Sequence, residues 1–488
     1  MRKLRILSFV LAILMLVPII ISCKKGDEGS SNTDAGTVQA GDGRLPLSVA
    51  KEDNEGKEFK ILMTESNTLD HVEEYGTSVV NQALHKVDDS VNNHLGIKLE
   101  YTQLPGNWAN RSTFNTRLLA MAMDSEAEFD LIMAETAVSY PYALQNDLVE
   151  DLVSIESIKL DSPWYLKDMV NTYGISGKLH GILGDGSLVT YESLGVIYFN
   201  QLMLQENKLT SPYELVEKGE WYLEDMFEMA LQVGGTGDGN AADLKKDTFG
   251  YVGNVVASRG FIVGLNINVT EKSAEDGNVY LKTALDQRAI DIYDYLYDMF
   301  ENNSAKLRIP VSADSELGTE AFSSGRALFF NGFLSTASKF SSVSWDYGIV
   351  PLPKYDETQT EFYSPAGTQN AIFMIMKNAA DAELSGKVIE TKAYYNHYDA
   401  VDSYYEQTLG YQYGRDSKHI DMLKIIRDSA TMTFLAAMGS TMSPDPYNMY
   451  QMDTYWRNDK VNGSVSTYYN SNVTAWNNSL KTLYQKLS

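Results

Sequence analysis

The chain has 488 residues, of which 65 are Asp or Glu and 40 are Lys or Arg, so its formal net charge is −25 at pH 7. Such an acidic surface repels nucleic acid and anionic lipid headgroups, and it favours a soluble monomer. Apolar residues make up 44% of the chain, enough to fill two domain cores. The 31 Tyr, 17 Phe and 6 Trp residues fit either core packing or a binding surface of flat rings for sugars or peptides.

The N-terminal residues predict an export signal. Three basic residues precede an apolar run over 6–21, which is too short to span a bilayer comfortably as a permanent helix. The run ends in Ile20-Ile21-Ser22-Cys23, which resembles a bacterial lipobox and implies cleavage before Cys23 and a diacylglyceryl group on it. The alternative is a plain secretory signal with an incidental cysteine. We expect a signal peptide over 1–22 and a lipid-anchored protein on the extracytoplasmic face of the cell membrane.

Residues 23–56 are rich in Gly, Ser and Asp and contain few large apolar side chains. This composition predicts a flexible tether between the membrane and the folded part of the chain. Cys23 is the only cysteine, which suits an anchor and excludes an intrachain disulfide. Because the surface is acidic, membrane attachment must come from lipid, and two acyl chains are sufficient for it.

The next segment alternates between strand and helix patterns. The predicted elements, in chain order, are a strand over 59–63, a helix over 80–95, a strand over 97–104, a helix over 112–123 and a strand over 129–133. This alternation predicts a parallel sheet with helices on both faces. Ligands of such sheets bind at the carboxyl ends of the strands.

Polar side chains follow two of these strands at their carboxyl ends. Glu65, Ser66 and Asn67 come after the first strand, and Glu135 and Thr136 come after the third. These groups are suited to hydrogen bonds with the hydroxyls of a sugar. For the first three, the alternative is a cap for the following helix.

A second unit opens with the apolar run 194–200, and further elements follow it. They are a helix over 223–231, helices near 284–301 and 317–324, a strand over 327–330 and a mainly helical last third. Asp238, Asn240, Asp243 and Asp247 could supply oxygen ligands to calcium, but they lack the alternate spacing of a helix–loop–helix calcium site. We therefore interpret the stretch as a solvated surface turn.

Sequence motifs for catalysis and cofactor binding are missing. The chain has no His-Glu-x-x-His pair, no phosphate-binding loop, no dinucleotide fingerprint and no Gly-x-Ser-x-Gly elbow. Glycoside hydrolysis by a pair of carboxylates is kept as an alternative function, because the 65 acidic residues offer many pairs and no local sequence pattern selects one of them. We expect a protein without a cofactor or a metal, and a binding protein rather than an enzyme.

Several segments in the same order resemble bacterial extracellular solute-binding proteins of the sugar-type family 1, which deliver ligands to ABC importers. The segments are 129–134, 148–152, 175–181, 194–200, 212–216, 219–226, 322–328 and 347–353. The resemblance spans most of the chain from about 58 to 390, and it weakens in the tyrosine-rich region 394–413 and the helical tail.

The resemblance implies an α/β, two-lobe fold of the periplasmic-binding-protein type II, in which each lobe is a mostly parallel sheet flanked by helices. Lobe one would comprise 57–188 and 353–398, and lobe two would comprise 194–350 and 400–488. The lobes would be joined by a hinge, with crossings near 188–193, 351–354 and 395–405.

The implied function is the capture of a carbohydrate, in the form of an oligosaccharide, between the lobes and its delivery to the permease subunits of an ABC importer. The alternatives are a binding protein for a peptide or a glycerophosphodiester and, from another class, a surface glycoside hydrolase. For binding alone, aromatic faces would cover the apolar face of a pyranose, carboxylates and amides would bind its hydroxyls, and no covalent step is needed.

Further candidate ligand-binding residues come from the hinge, the second lobe and the tail. They are Tyr191 and Glu192 at the hinge, Phe330 and Asn331 after a strand of the second lobe, Tyr455 and Trp456 in a polar stretch of the tail, and Trp108 on an exposed loop. The alternatives are a hydrogen-bonded polar pair at the hinge and a core position for Phe329 or Phe330, because strand alternation would bury one of the two. Trp221 and Trp476 are predicted to be core residues.

Overall fold

The computed structural model of the chain describes residues 43–65, 70, 78–236, 242–310, 315–405, 418–450 and 464–488. The strands are β1 Lys57–Thr64, β2 Ile97–Leu104, β3 Leu131–Glu135, β4 Gly195–Asn200, β5 Phe249–Gly253, β6 Thr270–Lys272, β7 Val279–Leu281, β8 Leu307–Arg308, β9 Ala327–Phe333, β10 Tyr347–Pro351, β11 Ser364–Pro365, β12 Ala371–Met374 and β13 Ala430–Thr431. The helices are α1 Val79–Leu95, α2 Arg111–Ala122, α3 Thr136–Asn146, α4 Met169–Tyr173, α5 Val189–Glu192, α6 Gln201–Glu206, α7 Pro212–Lys218, α8 Leu223–Gln232, α9 Arg259–Gly264, α10 Gln287–Asn302, α11 Ser315–Ser323, α12 Ala382–Tyr395, α13 Lys418–Asp428, α14 Phe434–Met438 and α15 Val465–Leu487. Among the helices of these residues, none is long and apolar enough to cross a bilayer.

The helix α1 shows how local sequence sets these elements. Its apolar residues recur at helical spacing and are buried on one face. The Ser78 side chain accepts a hydrogen bond from the Asn81 N–H at the start of the helix. Gly96 ends it in the left-handed region with a φ of 63°. The helix predicted over 80–95 is confirmed.

The first sheet has the strand order β12-β3-β1-β2. The strand β1 runs parallel to both β2 and β3, with Ile61 opposite Tyr101 on one side and Leu131 on the other. The strand β12, from late in the chain, adds to β3 in antiparallel orientation. All residues of β3 are buried, as expected for a strand with neighbours on both sides. The carboxyl ends of the three parallel strands therefore share one edge.

The second sheet has the strand order β10-β4-β9-β5-β8. The strand β5 is parallel to β9 and β8, whereas β4 is antiparallel to both β9 and β10. The prediction of mostly parallel sheets thus holds for the first sheet, and the second sheet is evenly mixed. The difference arises because β4 lies between β9 and β10, and both of these strands run opposite to it.

An aromatic cluster fills the core on the second sheet. The rings of Tyr198, Phe322, Phe330 and Phe340 contact one another with centroid distances of 4.9 to 6.2 Å. Such edge-to-face and offset pairs stabilise a core beyond the area that they bury. Phe329 is fully buried as well, so the expectation that strand alternation would bury one of Phe329 and Phe330 is wrong. Trp221 packs on Phe329 with a centroid distance of 6.0 Å, and Phe330 lies within the aromatic cluster, so both residues are enclosed.

The two tryptophans predicted to be core residues are fully buried. The indole N–H of Trp221 donates to the Pro351 carbonyl at 3.0 Å, and that of Trp476 donates to the Pro444 carbonyl at 2.5 Å. Each buried indole therefore has a hydrogen-bond partner, as a stable core requires. The prediction is confirmed for both.

Three chain segments lie side by side between the two sheets. The strand β11 pairs with β13, and Leu194 bridges to Ala366. The Gly367 N–H donates to the Ser193 carbonyl at 2.8 Å, and the Ala366 N–H donates to the Thr431 carbonyl at 2.8 Å. The bonded crossings are therefore at 193–194, 364–367 and 429–431. The crossing expected near 351–354 lies at the end of β10, where Lys354 still bridges to Tyr222.

The C-terminal helices pack against elements of both sheets. The helix α13 contacts β10 of the second sheet, whereas α14 contacts α3, which follows β3 of the first. The helix α15 packs against α10, β7 and α3. Residues 430–450 therefore run along the space between the sheets, where they contribute to the cavity described next.

Candidate functional site

The site is built on the carboxyl edge of the first sheet, where β1, β2 and β3 end together. The Thr64 hydroxyl accepts a hydrogen bond from the Glu135 N–H at 3.2 Å and joins the ends of β1 and β3. Gly106, in the loop after β2, packs on Thr64 and Phe114 so closely that a Cβ would overlap the Thr64 side chain. The absence of a side chain at Gly106 therefore lets the loop that carries Trp108 lie over this edge.

Trp108 is a large aromatic side chain on this loop that remains 54% exposed. The guanidinium carbon of Arg111 lies 4.2 Å from the centre of its ring, and Arg111 also donates to the Trp108 carbonyl. This cation–π contact holds the indole in place while the ring stays accessible. A fixed, exposed aromatic face is suited to stacking on a flat apolar surface of a ligand.

A cavity of about 480 Å³ extends from Trp108 across to the second sheet. Its volume is in the range of small-molecule sites in proteins. The polar and aromatic side chains at its wall include Trp108, Glu135, Arg259, Gln369, Asp445 and Asn448. The cavity therefore combines the exposed ring of Trp108 with several hydrogen-bonding groups, some positively and some negatively charged.

The segment 368–370, which follows the crossing at 364–367, forms the floor of the cavity beside α3. The Thr136 N–H donates to the Asn370 carbonyl at 3.0 Å, and the Ala137 N–H donates to the Thr368 carbonyl at 3.2 Å. The Thr136 hydroxyl also donates to the Asn370 side chain. These bonds use the otherwise unpaired N–H groups at the start of α3 and fix the position of Gln369 between them.

The opposite wall carries Arg259, at the start of α9, and the loop that precedes Tyr447. The guanidinium of Arg259 lies 5.5 Å from the ring centre of Tyr447. The Asp445 carboxylate accepts a hydrogen bond from the Tyr447 N–H at 2.9 Å. Burial raises the pKa of Asp445 to about 6, and the Tyr447 N–H and the charge of Arg259 oppose that rise. The wall therefore holds one cation and one carboxylate whose pKa is raised by burial.

The structure brings together two of the residues predicted for ligand binding. Trp108 and Glu135 line the same cavity, and Glu135 is 5% exposed. Glu65 follows β1 directly and is exposed. Asn67, Tyr455 and Trp456 lie outside the described residues, as does Cys23, so their roles stay predictions.

The two hinge candidates lie in different surroundings. Tyr191 borders a separate hollow of about 810 Å³, and its hydroxyl donates to Asp185 within a cluster that includes His397 and Arg427. Glu192 is largely buried beside Asp70, and burial together with that neighbouring carboxylate raises the pKa of Glu192 to about 7. Neither residue is among those that line the 480 Å³ cavity.

The two candidates from the second sheet are held inside it. Phe330 is a fully buried member of the aromatic cluster. Asn331 is also fully buried, and its side-chain amide donates to the Val196 carbonyl at 3.1 Å. The geometry favours the core alternative for Phe330 and a strand-bridging contact for Asn331.

Sequence reasoning missed Arg259, Gln369 and Asp445. Arg259 follows β5, a parallel strand, so the rule about carboxyl ends of strands would have selected it if β5 had been recognised. Gln369 and Asp445 carry no local signal, since distant contacts bring both to the cavity. Among the residues that the structure describes, no group of three His, Cys, Asp or Glu side chains is arranged to hold a metal ion.

Comparison with solved structures defines the class of the fold. The chain is similar to UspC of M. tuberculosis, with 13% identity, coverage of 86% of this chain and 100% of that chain, and a TM-score of 0.53. It is also similar to the GacH receptor of Streptomyces glaucescens, solved unliganded and with acarbose, with 11% identity, coverage of 89% and 100%, and a TM-score of 0.52. The chain thus has the two-lobe fold of solute-binding proteins.

A third structure supports the same assignment. A cyclo/maltodextrin-binding protein complexed with maltotetraose has 13% identity, coverage of 89% of this chain and 99% of that chain, and a TM-score of 0.52. No family model and no curated protein matches the chain. At these sequence identities the similarity defines the fold alone. A proposal about the ligand has to be based on the side chains of the cavity.

Proposed function

We propose that the chain is an extracytoplasmic solute-binding protein that captures a carbohydrate, an oligosaccharide in size, in the 480 Å³ cavity and delivers it to an ABC importer. The observation that carries this proposal is Trp108, an exposed indole held by Arg111 at the edge of a cavity rich in hydrogen-bonding groups. An aromatic platform beside carboxylate and amide groups matches the apolar face and the hydroxyls of a pyranose.

The fold supports the same proposal. The structures that share it include a receptor solved with acarbose and a protein solved with maltotetraose. Reversible capture needs binding and release, so the protein acts without a covalent step. In this proposal the first sheet belongs to lobe one and the second sheet to lobe two, and the bonded crossings at 193–194, 364–367 and 429–431 form the hinge.

A thermal-shift screen of the soluble chain tests the ligand class. Linear and cyclic oligosaccharides, short peptides and glycerophosphodiesters are compared at equal concentrations. A saccharide that binds the folded state stabilises it by about 2.7 kcal/mol at one hundred times its Kd, and we expect the unfolding temperature to rise accordingly. Stabilisation by peptides or glycerophosphodiesters alone would assign the cavity to those ligands instead.

The same samples separate a binding protein from an enzyme. Glu135 and Asp445 both line the cavity, and most glycoside hydrolases use a pair of carboxyl groups as their catalytic residues. We expect the oligosaccharides to be recovered intact after prolonged incubation, as seen by chromatography. Shortened products that disappear in Glu135→Gln would show hydrolysis and would replace the proposal.

Attachment to the membrane is part of the proposal and depends on Cys23. The variant Cys23→Ala cannot accept a diacylglyceryl group, so we expect a protein released from the membrane or a precursor that keeps residues 1–22. Detergent phase partitioning and intact mass measure the two outcomes. Partitioning and mass identical to those of the natural chain would refute the lipid anchor.

A further inference from the structure

Arg259 is a cation of the cavity whose guanidinium is not paired with a carboxylate. Among the described residues, no carboxylate forms an ion pair with it, and its Nε is buried without a hydrogen-bond partner. The guanidinium lies on the ring of Tyr447, hydrogen-bonds to the side chain of that residue and acts electrostatically on the Asp445 carboxylate, so its Nε is the atom left without a partner. A buried donor that is left unpaired is unfavourable, so such a group is expected to have a partner in the working protein.

Two other buried or half-buried cations among the described residues are paired with carboxylates. The Lys392 ammonium donates to the Asp88 carboxylate at 2.8 Å, and the Arg427 guanidinium donates to the Asp402 carboxylate at 2.9 Å. Lys392 is 1% exposed and Arg427 is 21% exposed, so both satisfy the rule that buried charges are compensated. Arg259 differs from these two cations, and it lies where a ligand would bind.

Gln369 presents a complementary group on the floor of the same cavity. Its side-chain carbonyl oxygen is buried and has no hydrogen-bond partner among the described residues. The segment that carries it is fixed by the backbone bonds to Thr136 and Ala137. The cavity therefore offers one unused donor at Arg259 and one unused acceptor at Gln369, with the Trp108 ring at its edge.

We infer that the ligand is an acidic saccharide, in which a uronic acid carboxylate binds Arg259 while a hydroxyl donates to Gln369. This inference rests on the proposed function and adds the charge of the ligand to it. The planar guanidinium matches a carboxylate through two parallel hydrogen bonds. A carboxylate fits better than a phosphate ester, because Glu135 and Asp445 line the same cavity and repel a dianion more strongly than a monoanion.

Calorimetric titration with matched ligands tests the inference. Oligogalacturonates, oligoglucuronates and alginate trimers are each compared with their methyl esters, which have the same rings without the negative charge. We expect an acid to bind at least about tenfold more tightly than its ester, as loss of a charge-assisted hydrogen bond implies. We expect Arg259→Gln to remove most of that difference, with a much larger loss of affinity for the acid than for the ester.

Arg288→Gln is the matched control, because it removes the same charge from a residue that pairs with Asp356 at 3.5 Å and does not line the cavity. It should leave the preference for the acid intact, and thermal unfolding of both variants checks that they fold. Equal binding of acids and esters, or binding of neutral saccharides or sugar phosphates in place of uronates, would overturn the inference and leave a saccharide-binding protein. Failure of every saccharide to bind would instead overturn the proposed function, and the inference with it.

Discussion

Replacement of Trp108 by Ala is expected to weaken saccharide binding by about 2 kcal/mol or more, roughly 30-fold in Kd, with little effect on the stability of the free protein. The ring is 54% exposed, so its removal leaves no large internal void. Within the protein, the substitution removes the cation–π pair with Arg111, which is worth about 0.5–1 kcal/mol at an exposed site. Calorimetric titration and denaturant unfolding of the same variant measure both quantities.

Phe330→Ala is the opposite control for that experiment. Phe330 is fully buried against Phe322, with a centroid distance of 5.6 Å, so its truncation should cost about 3–5 kcal/mol of unfolding free energy. The fraction that still folds should bind the ligand normally. If Trp108→Ala kept full affinity, the stacking role would pass to another aromatic residue, either Tyr447 of the same cavity or Tyr455 and Trp456, which lie outside the described residues.

The elements with strong periodicity could be predicted from the sequence. The helix α1 and the strand β2 match their predicted bounds within one residue, because apolar spacing and Gly96 specify them locally. The same local logic gives the shared edge of β1, β2 and β3, and hence the proximity of Trp108 and Glu135. For these residues a strand pattern and a rule about parallel sheets were sufficient.

The strand β5 shows where that logic fails. It contains Gly250 and Gly253, which weaken the apolar pattern of a strand. Gly250 is needed because its backbone passes so close to Ala230 that a Cβ would overlap the Ala230 carbonyl. That close approach depends on tertiary packing and has no signature in the local sequence. Because β5 was not predicted, Arg259, which follows it, was not recognised as a candidate.

The hinge residues illustrate a second limit. The sequence predicts Tyr191 and Glu192 at a crossing, and the structure gives them partners that are distant in the chain. Tyr191 donates to Asp185, which also contacts His397 and Arg427. A sequence pattern does not show which side of a short helix such as α5 faces the ligand. That orientation depends on contacts with residues 397 and 427, which are distant in the sequence.

The buried carboxyl groups of Asp70 and Glu192 are expected to make the protein less stable as the pH rises from about 4 to about 7. Asp70 is 1% exposed and accepts hydrogen bonds from the Ser187 hydroxyl at 2.5 Å and the Leu188 N–H at 2.6 Å. Burial raises the pKa of Asp70 to about 6, and burial together with the Asp70 charge raises the pKa of Glu192 to about 7. Both pKa values lie above those of exposed carboxyl groups.

The sign of the effect follows from proton binding. Between the unfolded and folded pKa values the folded state binds more protons than the unfolded state, so the unfolding free energy falls as the pH rises through that window. A shift of about two pKa units corresponds to roughly 3 kcal/mol for one group taken alone. The pair shares part of its shift, because each charge disfavours the other, so the total is smaller than the sum.

Glu192→Gln tests this account, because the amide keeps the size of the side chain and removes its charge at every pH. We expect urea unfolding of the natural chain to lose several kcal/mol between about pH 4.5 and 8, and the variant to recover roughly 3 kcal/mol of that loss at about pH 8. Asp445, whose pKa is raised to about 6, supplies a residual slope of the same sign. Glu220→Gln, at an exposed position, should leave the slope unchanged. If the unfolding free energy of the natural chain did not change with pH, or if its slope against pH were undiminished in Glu192→Gln, the carboxyl pair would not be the source of the pH dependence. A reduced slope in the variant would show that protons bound at the first crossing stabilise the fold.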